Sequence, residues 1–449
     1  MLTKFSAILW LPLLAAAAAA RTKRAPPRRR FRIILRAGNI WAAGPDRAAF
    51  WLHRPLGAAL SNEPTSQRPV SLRLSAVTVA ATLVFGLPRP ARAQNDLTYE
   101  YENYREAGGR ITVQTNGAQV EQDLTSVLHF KLGGVMDSIT GATPTGAPAP
   151  AGSNQVPLAQ ITDRRKAWDT DLSDQIGPVN ISAGYSRSLE HDYVSNGWSL
   201  NTVTDFNQKN TSLVVGAAGT DNDVEVFFEP AWFKKRTNDF LVGVNQVLDP
   251  NTTVSFDLTW SRALGFLNEP YKAVVAYVQV LPGVFYPAGY PENRPGERRK
   301  GIALASIDHN FPSLHGMIEA SLRLTHDTWD ITSGTAEFAW FQRLGGRFIL
   351  RPMVRFYDQS AASFYTYQLN PAIAPTTIPT GQGPFYAFDA RLSRFYSLDS
   401  GLKAIWKATD AVQLDVGIEA YGQRGTDGVT PQTAYYRATI TRAGLKYSW

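Results

Sequence analysis

The chain contains no cysteine, which excludes a disulfide framework, a thiolate metal site and a lipoprotein anchor. Beyond residue 93 no window holds eighteen consecutive apolar residues, so the body of the chain encodes no helical membrane span. Heptads, helical repeats and coiled-coil runs are also absent. Glycine-rich patches such as Ala107-Gly108-Gly109 lack the strand-to-helix context of a phosphate loop.

The formal charge of +7 joins two unlike regions. Residues 1–93 hold 15 Lys and Arg against Asp46 and Glu63, a balance of +13; residues 94–449 hold 30 bases and 36 acids, a balance of −6. The basic excess sits in the leader and gives no argument for nucleic-acid binding by the body. Within that leader, Met1–Ala20 is one candidate export signal, with Lys4 before an apolar run. A better one follows, in which Arg68 and Arg73 precede the apolar stretch Leu74–Leu87 and the cleavage pattern Ala91-Arg92-Ala93. Residues 1–69 therefore read as a basic low-complexity extension or a misassigned gene start. Residues 70–93 read as a signal peptide, and 94–449 as the folded protein beginning near Gln94.

What remains alternates. Val254, Phe256, Leu258 and Trp260 interleave with Ser255, Asp257, Thr259 and Ser261. Ile318 to Leu324 and Val412 to Ile418 repeat the pattern, with Glu319, Arg323, Asp415 and Glu419 on the second face. The end of the chain does the same, since Ala443, Leu445, Tyr447 and Trp449 alternate with Arg442, Gly444, Lys446 and Ser448. Period two marks strands with one apolar and one wet face. Ionised residues on a lipid-facing surface cost ~2–4 kcal/mol at the bilayer midplane, so the wet face must enclose an interior. Short turns, such as Asp249-Pro250-Asn251-Thr252 and Leu344-Gly345-Gly346, alternate with long segments at 139–163, 220–238, 265–300 and 360–384. The expectation is an all-β, closed antiparallel transmembrane barrel of about sixteen strands, with short periplasmic turns and long extracellular loops. Its strands are expected near 97–105, 110–122, 126–138, 164–175, 179–190, 194–206, 210–219 and 239–248. The rest are expected near 252–264, 301–309, 315–326, 330–342, 347–359, 394–407, 411–423 and 434–449.

The sequence also resembles the outer-membrane barrel family catalogued as domain-of-unknown-function 3570. The resemblance is carried by Asp137 to Gly146, Gly265-Phe266-Leu267-Asn268-Glu269-Pro270-Tyr271-Lys272, His326-Asp327-Thr328-Trp329, Val354 to Tyr365 and Asp389-Ala390-Arg391-Leu392-Ser393-Arg394-Phe395-Tyr396-Ser397. It implies a barrel in the outer membrane and carries over no catalytic or ligand residues. Residues 1–69 fall outside it.

Strand parity places Glu319, Arg323, Glu337, Arg351, Arg355, Lys403, Lys407, Asp415, Glu419, Arg442 and Lys446 inside, as candidate pore-lining residues. Four acids against seven bases predict a mildly basic lumen with slight anion preference, Glu337 being the partner of the arginine pair. Trp260, Trp340, Trp406, Tyr447 and Trp449 are candidate membrane-anchoring aromatics. Asp137, Thr140 and Thr143 are candidates for a polar loop entrance, against the simpler reading of a proline-stiffened loop start. A hydrolase would need a serine, a histidine base and an orienting acid, but adjacent pairs such as His191-Asp192 and His326-Asp327 point to opposite faces of a strand. His309 and His315 lack a third ligand. No enzyme, cofactor, metal site or nucleic-acid partner is expected. The expected partners are outer-membrane lipid and, through the C-terminal strand, the barrel-assembly machinery. The expected function is passage or binding of a small polar solute. The alternative is a structural or interaction barrel plugged by its own charges and working with periplasmic partners.

Overall fold

The computed structural model describes residues 95–144, 152–153, 155–226, 229–269 and 272–449. The expected leader, signal peptide and start at Gln94 lie outside the described residues. The first strand, β1 (Asp96–Glu106), pairs with β2 (Thr112–Asp123) on one side and with the last strand, β18 (Arg437–Ser448), on the other. That double pairing closes the sheet. The first half continues through β3 (Leu128–Pro144), β4 (Leu158–Ile176), β5 (Val179–Leu189), β6 (Tyr193–Phe206), β7 (Thr211–Val226), β8 (Glu229–Asp249) and β9 (Thr252–Gly265). The second runs through β12 (Glu297–Phe311), β13 (Gly316–Asp327), β14 (Thr332–Leu344), β15 (Phe348–Gln359), β16 (Phe395–Lys407) and β17 (Val412–Gly425). Neighbours are antiparallel throughout, and the barrel has sixteen strands, as the alternation predicts. No helix among the described residues is long and apolar enough to cross a membrane.

Two features differ from expectation. A separate two-stranded hairpin, β10 (Ala273–Leu281) with β11 (Val284–Pro291), stands within the segment read as a plain loop. The stretch at 220–238 is largely strand, because β7 and β8 go on pairing well beyond the length read from apolar alternation. On their outer face Arg236 meets Asp221 at 2.6 Å, and Lys234 pairs with Asp223. Charges on the outer face mark the part of a strand that has left the lipid. The strand persists there because backbone pairing needs no apolar side chains.

Local chemistry sets the short turns. The Asp249 carboxylate accepts the Asn251 N–H at 2.7 Å and the Thr252 hydroxyl at 2.6 Å. The Thr409 hydroxyl oxygen accepts the Val412 N–H at 2.9 Å. Both satisfy backbone and side-chain groups that the reversal frees.

The outer face is a continuous apolar band. Phe256, Leu258 and Trp260 on β9, and Leu322 and Leu324 on β13, are each about half exposed in the isolated chain. Val416 and Ile418 on β17 are 60% and 55% exposed. A water-soluble protein does not leave such a ring uncovered, whereas a membrane barrel offers it to lipid. Aromatic side chains border the band. Towards the loop end lie Trp168 against Tyr185 (ring centroids 5.4 Å), Trp198 and Trp260, with the Arg262–Glu297 pair just above Trp260. Near the turn end lie Phe348 stacked on Trp406 (6.1 Å), Trp340 against Phe311 (5.6 Å) and Tyr447 stacked on Trp449 (5.7 Å).

Inside, the loop end is filled. Tyr104, Ile111, Val113, Ile139, Ile161, Tyr193, Val224 and Ile440 face inward yet are almost inaccessible, packed in one apolar layer with Phe266, Tyr421 and Tyr436. Side chains buried this completely do not border an open channel. A second cluster, with Leu267, Trp329, Phe364 and Leu392 among its members, lies under the loops on the opposite side.

Candidate functional site

Beneath the apolar layer the lumen carries ion pairs. Arg355 of β15 reaches Glu337 of β14 at 2.7 Å and Asp399 of β16 at 3.9 Å. Arg351 reaches Glu319 at 3.5 Å and Glu337 at 4.0 Å, its guanidinium lying 5.0 Å over the Phe341 ring. Arg442 pairs with Glu102 at 2.8 Å, with Glu100 at 3.8 Å and with Glu419. Lys403 reaches Asp415 at 2.6 Å, and Lys446 reaches Asp96 at 3.1 Å. Cross-strand register dictates these contacts, since Glu337 is opposite Arg355 and Glu102 is opposite Arg442. Arg323 faces the same network near Arg355 and Glu337.

The lumen is not the mildly basic one expected. Asp96, Glu100, Glu102 and Asp399 are inward partners that the parity count omitted, and Glu106, Asp137, Asp163, Asp169, Asp171, Asp239, Asp257, Asp308 and Asp327 add further inward carboxylates, more than the added inward bases Lys131, Arg165, Lys235, Arg298 and Lys300. Strands such as β1 carry polar residues on both faces, so apolar alternation does not reveal their parity. Arg351 and Arg355, the basis of the expected anion preference, are both paired with carboxylates.

The loop end holds a second, denser cluster. Glu292 is fully buried, and its carboxylate accepts the N–H groups of Phe388 (2.8 Å) and Asp389 (3.0 Å) and a 2.5 Å bond from Arg294. Arg294 also reaches Asp389 at 3.0 Å, and Arg391 bonds to both Asp389 and Glu269 at 2.5 Å. The Asn268 amide oxygen accepts the Arg294 N–H at 2.7 Å, while Asn293 donates to the carbonyls of Gln382 (2.6 Å) and Pro384 (2.8 Å). Residues 268–269 and 292–294 are thereby clamped to 382–391. Burial pushes the Asp389 carboxyl up, but Arg391 and Arg294 outweigh it and hold the group well below the usual carboxylate range.

Two glycines make close backbone approaches at the loop end of the barrel. Gly265 has φ +100°, and a Cβ there would stand 2.3 Å from the Lys234 carbonyl oxygen. Gly141, at φ +130°, would meet the Arg110 carbonyl at the same distance. Only glycine fits such positions without strain.

A cavity of about 50 Å³ opens beside the clamp. Arg110, Lys272, Arg391, Glu106 and Asp389 bring charge to it, and Val156, Tyr367, Phe388 and Tyr436 form apolar walls. Tyr436 also belongs to the apolar layer, so the cavity lies directly against the closure of the lumen. Arg110 is engaged with Glu106 at 3.1 Å and with the carbonyls of Thr433 and Tyr435. Lys272 donates to the Pro144 carbonyl at 2.7 Å. Burial pushes its ammonium below the ordinary lysine range, against the pull of Asp389.

The family model described as Protein of unknown function (DUF3570) matches residues 72–234 and 228–439. The chain belongs to this family. No curated protein matches it. Solved structures similar to this family member include CdiB from Acinetobacter baumannii, at 8% identity and TM-score 0.44, covering 79% of this chain and 60% of that one. OpdK from Pseudomonas aeruginosa, solved with vanillate, is 9% identical at TM-score 0.37, covering 80% and 99%. The siderophore receptor PirA from Acinetobacter baumannii is 12% identical at TM-score 0.38, covering 75% of this chain; the chain spans 54% of that receptor's length.

In this family member two of the five stretches that carry the resemblance, 265–272 and 389–397, meet at the clamp, through Asn268, Glu269, Asp389 and Arg391. Spacing alone did not disclose that convergence. The partner trio Glu292-Asn293-Arg294 was missed, and its signal was the abrupt return of charge after the uncharged run from Ala273 to Pro291. Asp137, Thr140 and Thr143 do not form one entrance. Asp137 is buried and ion-paired to Arg165 at 2.6 Å, Thr143 is buried, and Thr140 is exposed on the other face of β3. All three belong to the strand, which continues to Pro144.

Three of the histidines are engaged locally. His309 contacts the Thr252 hydroxyl at 2.8 Å and the Phe311 ring, His326 contacts Thr332 at 2.9 Å, and His129 contacts Asp123 at 2.9 Å. Among the described residues one group offers three potential metal ligands: Asp163, Glu190 and Asp192, with carboxylate oxygens within 4.8 Å of one another. This oxygen-only set matches a hard cation in type. Burial, with Glu190 and Asp163 nearby, raises the Asp192 carboxyl to about 8.

Proposed function

We propose that the protein is an outer-membrane barrel that captures a small polar solute at its loop-side cavity and passes it into the charged lumen. The observation that carries this reading is the stacking order: a charged cavity, then an apolar closure through Tyr436 and Phe266, then a wet network of ion pairs. A solute must be held before it crosses, so the barrel works as a gated passage and not as an open sieve. Insertion proceeds through the last strand, whose terminal Trp449 exchanges backbone hydrogen bonds with Asn95 at 3.1 and 3.3 Å. The protein acts without catalytic chemistry.

The buried layer also favours a second reading, a permanently closed structural barrel working with periplasmic partners. Planar-bilayer recording separates the two. Under the passage reading the wild type conducts rarely, and Phe266→Ala or Arg294→Ala raises the open fraction. If both variants fold, shown by heat-modifiable migration, and stay silent, the structural reading stands instead.

A further inference from the structure

We infer that the outer rim of the barrel, at its loop end, binds phosphorylated lipid headgroups through a row of four arginines: Arg394, Arg424, Arg437 and Arg105. This rests on the outer-membrane reading above and adds to it the class of lipid and the residues that hold it.

The row follows from register. Arg105 of β1 is opposite Thr439, two residues from Arg437 of β18, and Arg437 is opposite Gly422, two residues from Arg424 of β17. Arg424 is opposite Tyr396, two residues from Arg394, which extends the β16 ladder by accepting the Thr426 N–H at 2.9 Å. Each arginine is thus the diagonal neighbour of the next, a separation of about 7–8 Å. All four are exposed, and strand parity turns them to the outer face with Tyr99, Leu445, Val416 and Leu398.

Their height matches a membrane surface. Arg437 stands ten residues up β18 from Tyr447, which lies at the turn-side edge of the apolar band. At a rise of ~3.3 Å per residue and a tilt of ~40°, that climb is about 25 Å, the height of the apolar band of a membrane barrel. The row therefore meets the loop-side leaflet at the level of its headgroups.

Charge separates this sector from the rest of the rim. On β7–β9 and β12 the outward bases are matched: Arg236 by Asp221 at 2.6 Å, Lys234 by Asp223, and Arg262 and Arg299 by Glu297 at 2.8 and 3.0 Å. Among the described residues no carboxylate lies within salt-bridge distance of any arginine of the row. Asp427 of the β17–β18 loop accepts the N–H groups of Val429 and Thr430 instead, and Asp358 on β15 bounds the row without reaching Arg394. Past β1, the next outward charges at the loop end are again basic: Arg164, Lys166 and Arg187, beside Trp168 and Tyr185. Like charges in line repel one another, and anions seated between them remove the repulsion. A guanidinium fork takes phosphate through two parallel N–H···O bonds, so a headgroup with two phosphates bridges neighbouring arginines.

The test uses the full-length protein in dodecyl maltoside. It is incubated with bisphosphorylated lipid A, with the monophosphorylated form or with phosphatidylcholine, and bound lipid is counted by native mass spectrometry. The wild type should retain the bisphosphorylated lipid most tightly. Its apparent Kd should weaken tenfold or more when Arg105→Gln, Arg424→Gln and Arg437→Gln are combined, and recover in part when the same three become lysine. Arg262→Gln with Arg299→Gln, in the matched sector, should leave it within about twofold. Heat-modifiable migration confirms that each variant is folded. Equal binding by the triple glutamine variant, or equal retention of phosphatidylcholine by the wild type, would overturn the assignment. Displacement of the lipid by millimolar inorganic phosphate would do so too, because the site would then serve a free anion. Membrane fractionation is scored separately. Recovery in the inner membrane removes the outer-membrane reading and leaves the lipid surface standing, whereas outer-membrane recovery without lipid retention removes the surface alone.

Discussion

Arg442 of the last strand donates to Glu102 of the first at 2.8 Å, so a buried ion pair spans the seam at which the barrel closes. Glu419 and Glu100 flank the same guanidinium, and the cation therefore serves three carboxylates contributed by β17 and β1.

Removing that arginine should be more damaging than removing the pair. Arg442→Met leaves Glu102 and Glu419 buried without their cation, a loss of the order of 3–5 kcal/mol. Arg442→Met combined with Glu102→Gln should recover part of the loss. Urea unfolding in detergent, read as a double-mutant cycle, checks the coupling. Additive losses would show that the seam closes on backbone pairing alone.

The acid-rich lumen predicts cation preference in any conducting state. In Phe266→Ala barrels, the reversal potential across a KCl gradient should carry the sign for potassium. Adding Arg351→Glu with Arg355→Glu should move it further in that direction. The same double change sets new carboxylates against Glu319, Glu337 and Asp399, so the midpoint for unfolding should fall as well. A potential of anion sign would contradict the inward placement of Glu100, Glu102 and Asp399.

Gly265→Ala tests the clamp. Its φ of +100° and the 2.3 Å approach to the Lys234 carbonyl leave no room for a methyl group. The strained backbone costs ~1–3 kcal/mol. Limited proteolysis should cut residues 266–296 faster in the variant, while the heat-modifiable barrel band is retained. Equal cutting rates would place the stability of the clamp elsewhere.

Asp192 lies in the turn between β5 and β6 with its carboxyl raised from 3.8 to about 8. A raised acid binds its proton more tightly in the folded state than in the unfolded one. Stability from this group is therefore greatest near pH 4 and falls as pH rises to about 8, with a slope approaching ~1.4 kcal/mol per pH unit for one proton. Asp192→Asn should flatten that part of the pH–stability curve. A curve unchanged in the variant would assign the proton to another group.

Much of the architecture was legible in the residues. Phe256-Asp257-Leu258-Thr259-Trp260 has to be a strand between two solvents, because period two is a local property that each strand carries by itself. The same holds for Val416-Gly417-Ile418-Glu419 and for the terminal Leu445-Lys446-Tyr447-Ser448-Trp449. Short turns are local too, as the Asp249–Thr252 bonds show. Once sixteen such segments follow one another, pairing each with its predecessor is the shortest route to a closed sheet.

The partners of the charged residues were a different matter. Glu102 and Arg442 lie 340 positions apart, and Arg391 and Glu269 lie 122 apart. Their meeting depends on register and closure, which no local pattern carries. Thr140 and Asp137 are near neighbours in the chain, yet the pleat sends them to opposite faces, and β3 runs straight through what read as a loop. The sequence by itself thus determined the sixteen barrel strands, though not their full lengths, together with the apolar belt and the closed barrel, because those follow from alternation between lipid and water. Only the tertiary structure decided the sign of the lumen, the clamp between the loops and the cavity beside Lys272, because these are set by which distant side chains the closed sheet brings within a few ångströms of one another.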